Sequence, residues 1–257
     1  MRAPSSLQAL AATGSEGSRF GFSSDLLDNG RPKAGQIYEL IREAIISMKL
    51  LPGAPIPEKE ICEALGTSRT PLREAIIQLA AENLVVVRPS GGTFVNLIVV
   101  HEVLDGQVTR DTLEKRLVRL AARRFTSAAS SQFEISLFQQ KKAAERRDID
   151  EFFALDNGFH KMICDCSGFP SAWRTLHSAT GQLDRIRRYA LPKGDHFVDS
   201  LKEHTEIFHH LQNRDEDAAV TAFQVHIDSL FHEVDLISQL DPDMVSAASH
   251  VTIADIR

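Results

Sequence analysis

Asp156 and His160 stand four residues apart in EFFALDNGFHKMI, among Phe152, Phe153, Phe159 and Ile163. His204, in LKEHTEIFHHL, lies four residues before Phe208 and seven before Leu211; His226, in AFQVHIDSLF, follows Ala222 and Phe223 and precedes Leu230. On helices these spacings turn four polar side chains toward apolar faces. Buried carboxylates and imidazoles need partners. One carboxylate and three imidazoles suit a borderline divalent ion, zinc first and nickel or manganese as alternatives, with positions left open for water or ligand. Taken singly, each histidine reads as an ordinary core residue, so the inference rests on the four together. A second cluster is Ser68-Arg69-Thr70-Pro71-Leu72-Arg73. Arg69 and Arg73 share one face of a helix whose N-terminus already favours anions. That arrangement suits phosphate contact by Ser68 and Thr70 and guanine O6/N7 contact by one or both arginines.

The elements that must position these residues follow from periodicity. Residues 1–34 are rich in Ser, Gly and Ala without an apolar period, and read as a disordered tail. Ile37, Leu40, Ile41, Ala44, Ile45 and Met48 recur at helical spacing, and Leu51-Pro52-Gly53-Ala54-Pro55 ends that helix. A short helix over 57–65 and a third from Ser68 to about Glu82 follow, with Ser68 as N-cap and Pro71 in the first turn. Leu84-Val85-Val86-Val87 and Thr93-Phe94-Val95 flank Arg88-Pro89-Ser90-Gly91-Gly92 and read as a hairpin. Three helices and a hairpin over 35–96 give the order of a winged helix-turn-helix. Beyond it strand signals vanish. Helical periods run over 101–126, 129–147, 150–166, 170–190, 196–213 and 215–240, with Asp150 and Asp215 as expected N-caps. The expected fold is therefore mainly α: the winged helix-turn-helix, an all-α bundle over 101–240, and a loose tail over 241–257.

Composition narrows the function classes. With 29 basic and 35 acidic residues, and a net charge of −6, the chain is no unspecific DNA coater; specific contacts are local and survive that balance. No apolar run approaches the ~18 residues of a membrane span. Cys62, Cys164 and Cys166 form no disulfide framework, which fits a reducing cytoplasm, and Cys164-Asp165-Cys166 is a weak metal signal.

The run EICEALGTSRTPLREAIIQLAAENLVVVRPSGGTFV resembles the DNA-binding domain of the GntR superfamily of bacterial regulators. The resemblance implies that Ser68, Arg69, Thr70 and Arg73 carry recognition, that Lys59 touches phosphate, and that Gly91 and Gly92 let the wing tip approach the minor groove. Asn83 stands where the family has glycine, and asparagine tolerates the same left-handed backbone. Residues 101–240 resemble the FCD ligand-binding domain of the FadR subfamily, whose opening signature is matched by Arg110, Leu113, Glu114 and Ala121-Ala122. The resemblance implies a metal held by Asp156, His160, His204 and His226, and an effector carboxylate bound by Arg110. It leaves open which of Arg185, Arg187 and Arg188 joins the pocket. The expected protein is a homodimeric repressor that binds a pseudo-palindromic operator under the control of a small organic acid. The rival is a metal-dependent enzyme acting on a small carboxylate. Against it, the chain has no His-Glu-x-x-His motif and no phosphate-cradling glycine loop, and its Glu206-x-x-His209 is a single unit where a di-metal bundle needs two.

Overall fold

A computed structural model describes residues 21–234, 237 and 239–246. The chain divides into two compact units, residues 1–96 and 97–257.

In the first unit, α1 (Lys33–Ile46), α2 (Glu58–Ala64) and α3 (Arg69–Ala81) precede a hairpin of β1 (Val85–Arg88) and β2 (Gly92–Val95), antiparallel with Val85 opposite Val95. Ile37, Ile41 and Ile45 of α1 and Leu72, Ile76 and Leu79 of α3 are buried. Each such side chain contributes about 1.5–3 kcal/mol by leaving water, and together they fix α3 against α1. A polar pin supports the same pair. Tyr38 Oη donates to Glu82 Oε1 at 2.5 Å and Arg42 Nε to Glu82 Oε2 at 3.2 Å, all three largely buried. Asn83 adopts φ 53°, the left-handed backbone expected of it.

The expected tail needs correction where it is described. Residues 1–20 lie outside the described residues, but 21–34 contain a 3-10 turn at Ser24–Leu26, and Phe22 and Leu27 are buried. Gln36 bonds the backbone of Asp28 in both directions, at 2.7 and 2.9 Å. Two isolated apolar side chains produce no periodic signal, which is why the stretch reads as loose.

The second unit is helical: α4 (Val100–Arg124), α5 (Ser127–Arg146), α6 (Ile149–Ser167), α7 (Ala172–Ala179), α8 (Gly181–Ala190), α9 (His196–Gln212) and α10 (Glu216–Val234). Its core gathers Phe133, Phe159, Ile163, Ile207, Leu211 and Phe223 from four helices. Three details differ from expectation. The span 170–190 is two helices that meet at Thr180. Asp148 caps α6, accepting from Glu151 N at 3.0 Å, so Asp150 sits in the first turn. Asp215 does cap α10, through Ala218 N at 3.0 Å. The expected C-terminal tail is anchored in part: Ile98 N donates to Met244 O and Ser246 N to Ile98 O. Residues 247–257 lie outside the described residues. Gly106 has a packing reason, since a Cβ there would meet Leu183 Cβ at 3.1 Å; its absence lets α8 lie close along α4.

Candidate functional site

The face of α3 expected to meet DNA is open to solvent. Ser68 occupies the N-cap in extended conformation, although its hydroxyl makes no capping bond, and Ser68, Arg69, Thr70 and Arg73 are exposed. Neither arginine makes an ion pair among the described residues. Lys59 is exposed and lies 3.7 Å from Glu63. In the wing the left-handed residues are Ser90 (φ 59°) and Gly92 (φ 94°), with Gly91 between them. A Cβ on Gly91 would press Arg88 Cβ at 3.2 Å. Arg88 lays its guanidinium over the Phe94 ring, 4.5 Å from the centroid.

In the helical unit α6, α9 and α10 bring His160, His204 and His226 together, with candidate ligand atoms all within 4.8 Å of one another. All three are buried, as is Asp156. Each ring is oriented by an oxygen at Nδ1: Glu114 Oε2 at 2.7 Å for His160, Gln140 Oε1 at 2.8 Å for His204, and Glu203 Oε2 at 2.8 Å for His226. With Nδ1 carrying the proton in each ring, the three Nε2 lone pairs converge. His160 Nε2 and His226 Nε2 face one another at 3.3 Å, and His204 Nε2 is buried without a hydrogen-bond partner among the described residues. Asp156 completes the group, 3.6 Å from His204 Nε2 and 3.9 Å from His160 Nε2.

This donor set fits a divalent metal. Arg110 Nη2, which donates to His160 Nε2 at 2.9 Å, offsets the repulsion between those two lone pairs, and a metal ion would take its place there. A tetrahedron with Zn–N bonds of roughly 2.0–2.1 Å has edges of roughly 3.3–3.4 Å, close to the spacing of those two nitrogens. Oxygen partners on the far ring nitrogens are the outer shell that orients histidine ligands.

Electrostatics keep the group in its ligating form. Burial, reinforced by nearby positive groups, pushes His204 down to about 3 and His226 down to about 4, and lowers His160 well below the usual range. All three are therefore neutral. Burial alone would raise Asp156, but the Arg187 guanidinium paired with it outweighs burial and holds the carboxyl well below the usual carboxylate range. Burial raises Glu203 to about 7.

Arg110 lies at the edge of the cluster. Its Nε donates to Glu114 Oε1 at 2.6 Å, its Nη2 to His160 Nε2 at 2.9 Å, and its Nη1 is buried with no hydrogen-bond partner among the described residues. Of the α8 arginines, Arg187 reaches the site: it pairs with Asp156 and, at 2.9 Å, with Asp184. Arg188 pairs with Asp150. Arg185 is wholly buried, and burial lowers it to about 9. The cysteines are free thiols, Cys164 buried and the others half-buried.

Sequence reasoning missed Gln140 and Glu203 as partners of the histidines. Gln140 carried a usable signal, being a polar residue on the stripe of Phe133, Ser136 and Ala143 that α5 buries. Glu203, adjacent to His204 in sequence, supports His226 instead, and no local pattern announces that.

A winged helix-turn-helix followed by a helical bundle with a buried histidine cluster defines a class: a DNA-binding regulator carrying a second, helical domain. Residues 33–95 match the family described as "Bacterial regulatory proteins, gntR family", and residues 107–229 match the FCD domain. The chain is 34% identical over 220 residues to the HTH-type transcriptional repressor RspR of Escherichia coli, covering 86% of this chain and 96% of that one. It is 32% identical over 216 residues to an HTH-type transcriptional regulator of Streptomyces ambofaciens, covering 84% and 91%. The solved structure of McbR/YncC from Escherichia coli is similar in fold, with a TM-score of 0.72 at 18% identity, covering 80% of this chain and 98% of that one. The protein belongs to the GntR family of transcription regulators and carries an FCD domain. Its relatives are DNA-binding regulators, not enzymes. No described helix is long and apolar enough to cross a membrane.

Proposed function

We propose that this regulator is a cytoplasmic homodimer that represses transcription from a pseudo-palindromic operator, and that a small organic acid bound in the helical unit controls its grip on DNA. Ser68, Arg69, Thr70 and Arg73 present the recognition face, with Lys59 on phosphate and the Gly91–Gly92 wing tip at the minor groove. Asp156, His160, His204 and His226 would hold a divalent ion, zinc first and nickel or manganese as alternatives. When bound, such an ion supplies a Lewis-acidic centre for a carboxylate oxygen. Arg110 supplies charge-assisted hydrogen bonds to the same carboxylate. The observation that carries this reading is the convergence of three neutral Nε2 atoms beside a guanidinium whose Nη1 lacks a partner. The acid acts by favouring one arrangement of the dimer and hence one spacing of its recognition helices.

The test is equilibrium DNA binding by the intact chain, using the region upstream of its own gene, with zinc or a chelator and across a panel of carboxylic acids. Acids should shift operator affinity only in the metal-loaded protein, and His204→Ala or His226→Ala should abolish the shift while leaving DNA binding without acid intact. A normal acid response in both variants would refute the site. Turnover of any acid by the purified protein would favour the enzyme reading instead.

A further inference from the structure

Helix α4 carries two buried polar atoms that no group among the described residues satisfies. Gln107 is 1% exposed. Its Nε2 donates to the Ile227 carbonyl at 2.7 Å, which fixes the orientation of the amide. Oε1, at the other corner of the same amide, is buried without a hydrogen-bond donor among the described residues. One turn further on, Arg110 commits Nε to Glu114 and Nη2 to His160 and leaves Nη1 buried without an acceptor. Positions 107, 110 and 114 share one face of the helix. Gln107 is tied to the carbonyl of Ile227, the residue that follows His226, and Arg110 touches His160, so both side chains lie on the face of α4 that packs toward the helices of the histidine cluster.

A buried acceptor and a buried donor left unmet each cost desolvation energy that a matching ligand would recover. Their chemistry is specific. A carboxylate satisfies Arg110 Nη1 but offers nothing to Gln107 Oε1, which requires a donor. We infer that the acid taken by this domain bears a hydroxyl near its carboxylate, as in hydroxy acids and sugar acids, with the carboxylate on Arg110 Nη1 and the hydroxyl donating to Gln107 Oε1. The inference rests on the acid-sensing reading above and assigns Gln107 as the residue that sets its specificity. A hydroxyl fits better than an ammonium group as the donor, because it is neutral, whereas an ammonium group would be repelled by the divalent ion that the histidines would hold.

Isothermal titration of the zinc-loaded full chain with matched pairs tests this: glycolate and acetate, lactate and propionate, malate and succinate, gluconate and hexanoate. In every pair that binds, the hydroxy member should bind at least about ten-fold more tightly, the discrimination expected when a buried polar group is left unpaired. Gln107→Met should reduce that preference to less than about three-fold without weakening the deoxy acid. The inference is overturned if a deoxy acid binds the native chain as tightly as its hydroxy partner, a comparison that needs no variant. It is equally overturned if Gln107→Met keeps the preference, which would assign the hydroxyl to the metal alone. Absence of binding by every pair, or binding that Arg110→Met leaves unchanged, would bring down the acid-sensing reading itself and this inference with it.

Discussion

Mild acid should destabilise the helical unit, and the histidine cluster sets by how much. The perturbation is a step from about pH 7.5 to about pH 5.5 in the presence of a chelator. Burial keeps His204 near 3 and His226 near 4, and lowers His160 in the same sense, so the folded protein takes up no proton on these rings across the step. In the unfolded chain a histidine titrates near 6.5. The unfolded state therefore binds more protons, and the stability contributed by the neutral rings is full above that value and lost as pH falls below it. Each ring accounts for about 1.4 kcal/mol over the step, and three for about 4 kcal/mol. Glu203 opposes them: burial raises it to about 7, so the folded carboxyl takes up a proton that the unfolded one does not. That returns about 2 kcal/mol and leaves a net loss of about 2 kcal/mol. The other charged groups facing the rings are Arg110 and Glu114 from α4, Asp156 from α6 and Arg187 from α8. Asp156 is held so low that it does not titrate in this window.

The assay is intrinsic. Trp173 is the sole tryptophan of the chain and packs against the core of the helical unit. Urea unfolding followed through its fluorescence should show a midpoint lower by about 1 M at the acid end, given a slope of roughly 1–3 kcal/mol/M. Glu203→Gln keeps an acceptor for His226 Nδ1 but removes the opposing titration, so the loss should widen to about 4 kcal/mol. A midpoint that does not move, or moves equally in both proteins, would refute the argument that the rings are held neutral by burial.

Two further outcomes are expected. Arg73→Ala should weaken specific operator binding by about 1–3 kcal/mol, read by fluorescence anisotropy with specific and scrambled duplexes, while thermal stability stays within about 0.5 kcal/mol because the side chain is exposed and pairs with no acid among the described residues. Gln140→Leu removes the oxygen that orients His204, 2.8 Å from its Nδ1, and should lower zinc affinity about 10–100-fold in a competition titration with a chromogenic chelator, leaving operator binding by the metal-free protein unchanged.

The sequence by itself determined the order of elements and the residues that could do chemistry. Periods of 3.6 and 2 mark which side of a helix or strand is buried, and both are local, so α1, α3, the hairpin and the long helices of the bundle are legible from their own residues. The same locality makes Asp156 and His160 one face of α6, and Arg69 and Arg73 one face of α3. Local patterns are silent on pairings across long separations. That Glu114 holds His160, that Gln140 holds His204 sixty-four residues away, and that Arg187 rather than its neighbours reaches Asp156 follow from how α4, α5, α6, α8 and α9 pack. The burial of Phe22 and Leu27 was decided in the same way, by contacts that exist only after the chain has closed on itself. Solvent exclusion is likewise a property of the assembled helices, and it is exclusion that keeps the three imidazoles neutral and leaves Gln107 Oε1 and Arg110 Nη1 unmet.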